Sequence, residues 1–220
     1  MLQISLFFLI QNTIKRPDDK EKDKVNYEKR ESSILTYIND GSMRHILFMR
    51  WYRVRKLKCY VVCGLLFVLI TGTLFHFLYE WTGNSVIVGL FSPVNESIWE
   101  HMKLVFFPML LYSFFMIPRF KNDCPCISSA YCFGMLLGTI LIPVFFYAYT
   151  FLTGRDVFFL DLADFVFSVV TAFLVIYRLT LNCRAQAYSR ILFVLTGIFI
   201  VCFMIFSCNP PHAAIFTPPV

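Results

Sequence analysis

Residues 59–79, CYVVCGLLFVLITGTLFHFLY, form an unbroken apolar run long enough to cross a membrane. A bilayer core of about 30 Å needs roughly 20 apolar residues in a helix. Residues 127–152, 157–177 and 191–208 qualify too, the last being short. A fifth run, Leu104 to Pro118, is only 15 residues long and must borrow about five from the polar segment before it to cross. The expected fold is therefore all-α, a polytopic transmembrane bundle of about five spans at 59–79, 98–118, 127–152, 157–177 and 191–208. Composition agrees: 58% hydrophobic residues, 26 of them phenylalanines elsewhere rare at this density, against 15% charged residues exclude an ordinary soluble domain.

Charge is segregated along the chain. Residues 1–58 carry 13 Lys/Arg and 7 Asp/Glu, whereas 59–220 carry 7 of each. Residues 1–43 are expected to be a disordered polar arm, since they mix charges with few apolar anchors. Residues 44–58, RHILFMRWYRVRKLK, are a basic juxtamembrane segment, either the stop signal that orients the first span or a patch for an anionic leaflet or nucleic acid. With the N-terminus inside, the inner segments 1–58, 119–126 and 178–190 hold 13, 2 and 3 basic residues, and the opposite side holds only Arg155. The expected topology is N-inside and C-outside, with an outer tail at 209–220, in a multi-pass protein of the plasma membrane. On that topology most cysteines lie at the inner face, so no disulfide framework is expected. The CPC at 124–126 is an isolated thiol pair that can share a soft metal.

Applied to the ionisable residues, the topology gathers them at one end. His76 and Glu80 share a face of the first span, four residues apart. Glu96, Glu100 and Lys103 form a stripe at the start of the second, beside Asn95, Trp99 and His101, with Ile98 on the apolar face. Asp161 and Asp164 open a polar seam in the fourth span. Each has a plain structural explanation: acids oppose the positive end of a helix dipole, Trp99 suits an interfacial belt, and Glu100 can pair with Lys103. Together, five carboxylates and two histidines at one depth are costly in a membrane unless they are paired or used.

The stretch from Gly72 to Pro108 is specific. Its HFLYEW, then SPVNESIWEHMK and Pro108, resemble a family of small bacterial integral membrane proteins catalogued only as a domain of unknown function. The resemblance covers roughly 59–212 and includes the paired prolines Pro210 and Pro211, whereas the basic arm before residue 50 and the ending FTPPV differ from it. It implies the membrane fold and a bacterial source, and it implies no activity.

Three functions stay open. The polar cluster can dock another membrane protein as a non-catalytic subunit surface. It can hold a divalent metal through His76, Glu80, Glu96, Glu100 and His101 in an enzyme acting on a lipid-type substrate. Or it can line a small ion- or proton-coupled transporter, with Asp161 and Asp164 extending the site into the bundle. The lipid bilayer is a partner in every case. No nucleic acid is expected, because no glycine-rich phosphate loop or zinc-finger spacing is present.

Overall fold

The computed structural model describes residues 41–218, so the reading of an N-terminal arm falls outside the described residues up to position 40. Six α-helices follow in order: α1 Gly41–Trp81, α2 Val86–Gly89, α3 Ile98–Phe120, α4 Ile127–Thr153, α5 Phe158–Asn182 and α6 Ser189–Cys208. Short 3-10 turns lie at Arg184–Tyr188 and Ala214–Phe216, and no strand occurs among the described residues. All but α2 are long and apolar enough to cross a membrane, which makes this an all-α, multi-pass membrane protein.

The chain divides into two compact units at Tyr52. The first contributes the opening turns of α1, where Phe48 and Trp51 rings sit 6.2 Å apart. The second unit, Arg53–Val220, holds the rest of α1 and all the later helices.

Small residues set the helix contacts. Ala130, Gly134 and Gly138 lie on one face of α4, and a Cβ on Gly138 would stand 2.8 Å from the Ala172 Cβ of α5. At Gly134 it would stand 2.8 Å from the Ala172 carbonyl oxygen, so α4 and α5 approach closely only because both positions lack side chains. Tyrosines lock the remaining spans: Tyr131 of α4 donates to the Met109 carbonyl of α3 at 2.8 Å, and Tyr112 of α3 donates to the Tyr60 carbonyl of α1 at 2.8 Å. In hydrocarbon, where water cannot compete, such bonds fix the pairing of helices. Pro108 and Pro143 sit inside α3 and α4, which run through them without a break.

Successive spans alternate in direction, so the unit has two ends. One carries His76, the 82–97 connection, the 154–157 loop and the C-terminal tail; the other carries the 121–126 loop and the Arg184–Tyr188 turn. At this second end Cys126 and Cys183 are joined by a disulfide, their Cα atoms 5.3 Å apart. This one bond was not foreseen where no disulfide framework was expected, and it takes Cys126 out of the CPC pair. The sequence reading sorted the cysteines by depth alone. Cys183 ends α5 in a left-handed conformation (φ 52°), and the turn that follows meets the start of α4 beside Cys126. Cys124 remains a buried thiol, and burial pushes its pKa up, away from reactivity.

Candidate functional site

α3 begins at Ile98, with Ser97 as its N-cap residue in extended conformation. Glu96 therefore precedes the helix. Asn95 Oδ1 accepts the Ser97 N–H at 2.9 Å, a tight turn that holds this entrance to the helix. Freed from helical geometry, Glu96 reaches two histidines from different helices. Its Oε2 lies 3.4 Å from His101 Nε2 in the first turn of α3, and its Oε1 lies 3.7 Å from His76 Nε2 in α1.

The second nitrogen of each ring gives these distances their chemical meaning. His101 Nδ1 lies 3.0 Å from the Ser97 carbonyl oxygen. A carbonyl only accepts, so Nδ1 carries a proton. Nε2, facing the Glu96 carboxylate, then either carries a second proton shared with that carboxylate or offers a lone pair that a metal cation between them would take. His76 Nδ1 is buried without a partner, and the two rings stand 5.5 Å apart. The three donor atoms all lie within 4.8 Å of one another. Tetrahedral ligands about 2.0–2.1 Å from zinc are separated by about 3.3 Å, so His76, Glu96 and His101 fit one small divalent ion.

The trio forms part of the wall of a cavity of about 570 Å³ bounded by α1, α3, α4 and α5. Asp156, Asp161 and Asp164 stand on other parts of the same wall, with Ile98, Leu104 and Phe165 among the apolar groups between them. Asp161 is close enough to Glu96 for their charges to interact. Tyr149 of α4 donates to Asp156 Oδ1 at 2.8 Å and also to Asp161 Oδ1. One phenol proton thus serves two carboxylates. Asp164 is buried, and Ser168 donates to its Oδ1 at 3.1 Å.

Other expected site residues face elsewhere. Glu100 and Lys103 form an ion pair at 2.6 Å, with side chains 3% and 0% exposed. Lys103 Nζ also donates to the Gly89 carbonyl at 2.9 Å and to Ser207 Oγ at 2.5 Å, with the Ser92 carbonyl at 3.4 Å. Glu100 Oε2 accepts the Val94 N–H at 3.0 Å. The pair ties the 86–97 segment to α3 and α6, and neither residue lines the cavity. Glu100 lies outside the His76–Glu96–His101 group: it is one residue before His101, about 100° away around the helix, and is paired with Lys103. Ile98, expected on the opposite face, lines the cavity instead. Glu80 is exposed at the end of α1 and outside the trio. Trp99 packs between Phe203 and Phe206 of α6 and Phe216 of the tail, at ring distances of 4.9–5.4 Å. Tyr149, Asp156 and Ser207 were not foreseen. Asp156 sits in a short polar loop, a weak signal; Tyr149 and Ser207 sit in apolar spans without one.

The profile of one family matches residues 49–220, almost the whole described chain. The chain belongs to DUF6512, a family of unknown function. No curated protein and no solved structure matches it. The DUF6512 match begins just before the first span and takes in the tail, so the trio, the aspartates and the buried ion pair all fall within the family's bounds.

Proposed function

We propose that this DUF6512 protein is a metal-dependent membrane enzyme acting on a lipid-type substrate. The observation that supports it best is the meeting of His101 Nε2, His76 Nε2 and the Glu96 carboxylate on the wall of a cavity among membrane-spanning helices. Two imidazoles and one carboxylate are the donor set of catalytic zinc sites, which leave a coordination position for water or substrate. A divalent ion there would polarise a substrate carbonyl or phosphoryl oxygen and acidify a bound water. Asp161 and Asp164, held by the hydroxyls of Tyr149 and Ser168, are the candidates for general base. The Ser97 carbonyl fixes the His101 ring by holding its other nitrogen, the usual task of a group behind a metal ligand.

The Lys/Arg bias of the loops supports placing this end on the outer side, so the substrate would be drawn from the outer leaflet. A concave wall with converging donors suits a small ligand better than a flat docking face suits a subunit. Calorimetric titration of the metal-stripped, purified protein with zinc tests the proposal. One equivalent should bind, with clearly weakened affinity in His76→Ala, Glu96→Gln and His101→Ala, and unchanged affinity in Glu80→Ala and Glu100→Gln. Failure of the wild type to bind would return the cluster to the docking-surface or carrier readings.

A further inference from the structure

The cavity's ionisable lining consists of His76, His101, Glu96 and the three aspartates, with neither lysine nor arginine. Lys103 is turned away and neutralised by Glu100, and Arg155, next to Asp156, is exposed and outside the lining. With a divalent ion held by the trio, four carboxylates still leave two formal negative charges on the wall. Two of those carboxylates, Asp156 and Asp161, share the single proton of Tyr149, which leaves the half-buried Asp161 with capacity for a further donor, while Asp156 is exposed. An ammonium group supplies both missing features, positive charge and several N–H donors.

The cavity also borders on lipid. Phe77 of α1 and Phe158 and Leu162 of α5 line it, yet are 43%, 73% and 49% exposed on spanning helices whose exposed apolar faces meet the bilayer. Deeper in, Leu104, Ile142 and Phe165 give it an apolar floor that an alkyl chain can cover.

We infer that the cavity takes a membrane amphiphile with a cationic amine head, admitted sideways from the bilayer between α1 and α5. Its alkyl chain lies along Phe77, Leu162 and Phe165, and its ammonium sits among Asp156, Asp161 and Asp164, beside the metal trio. This rests on the cavity being the functional site and names the substrate class for it.

The test uses the full chain in phosphatidylcholine nanodiscs. Leu162 is replaced by the photoreactive amino acid benzoylphenylalanine, and Phe151, 89% exposed and outside the cavity, is replaced in a control protein. Each is irradiated with dodecylamine or dodecanoate, which share one alkyl length and differ in charge, and adducts are counted by mass spectrometry. After correction for bulk partitioning by the Phe151 control, the Leu162 site should capture the amine roughly tenfold over the carboxylate, the discrimination expected of one charge at short range in a protein of intermediate dielectric. Asp161→Asn with Asp164→Asn should abolish the preference, whereas His76→Ala with His101→Ala should keep it while zinc binding is lost. Equal capture of the two probes in the otherwise unaltered protein, a comparison that needs no aspartate variant to fold, would overturn the inference. Zinc binding with no amine preference would do the same and leave the metal site standing.

Discussion

Removing the ammonium of Lys103 should be among the most damaging single changes in the chain. Its side chain is fully buried and bonded at once to Glu100, Gly89 and Ser207. Lys103→Met keeps the apolar stem but leaves the Glu100 carboxylate buried with only the Val94 N–H at 3.0 Å and Ser207 at 3.4 Å. Breaking one partner of a buried pair costs about 3–5 kcal/mol. Replacing both at once, Lys103→Met with Glu100→Leu, removes the stranded charge as well. The double variant should recover to within about 1–2 kcal/mol of the wild type, the remainder being the unmatched Gly89 carbonyl and Val94 N–H. Reversible unfolding in bicelles, followed by steric trapping, gives the four stabilities needed for a double-mutant cycle. With each single change costing about 3–5 kcal/mol and the double about 1–2 kcal/mol, the coupling is about 4–9 kcal/mol, favouring the double variant. A Lys103→Met protein within about 0.5 kcal/mol of the wild type, or additive single effects, would refute the claim that the pair clamps the 86–97 segment.

Gly72→Ala should lose about 1–3 kcal/mol of stability and weaken zinc binding, because its Cβ would stand 2.7 Å from the Leu104 carbonyl oxygen one turn from His76; unchanged affinity by titration would count against a site that depends on the α1–α3 approach. Alkylation in denaturing detergent without reductant should leave two of the eight cysteines, Cys126 and Cys183, unmodified, and mass spectrometry after reduction should find them open; modification of all eight at the outset would rule the disulfide out. Cys183→Ser should cost up to about 4 kcal/mol for a 57-residue closure, less if the spans stay inserted on unfolding, as read by the same unfolding assay. A reporter active only in the cytoplasm should work after Arg184 and fail after Val220; the reverse would place the His76 end in the cytoplasm and the disulfide in the oxidising compartment where such bonds usually form.

The spans were legible because transfer of a residue from water to lipid is read residue by residue, without knowledge of neighbours. The gathering of His76, His101, Asp161 and Asp164 toward one end followed from span alternation. What the sequence hid was rotation about each helix axis. Glu96, Glu100 and Lys103 form a stripe only if one helix runs through all three, and the helix starts after Glu96. Once Glu96 is in the loop it is free to join His76 and His101, and Glu100 with Lys103 can turn toward Ser207 on α6. That partner lies more than a hundred residues away, in a span whose serine looks like any other. The Cys126–Cys183 bond was missed for the same reason, since it depends on the turn after α5 folding back toward α4.

X-ray absorption at the zinc edge of the loaded protein tests the metal centre most directly. The spectrum should show two imidazole nitrogens and light oxygen donors at about 2.0–2.1 Å, with one imidazole signature lost in His101→Ala and none lost in Glu100→Gln. Sulfur donors at about 2.3 Å, which would move the metal to the cysteines, or a spectrum unchanged by His101→Ala, would contradict it.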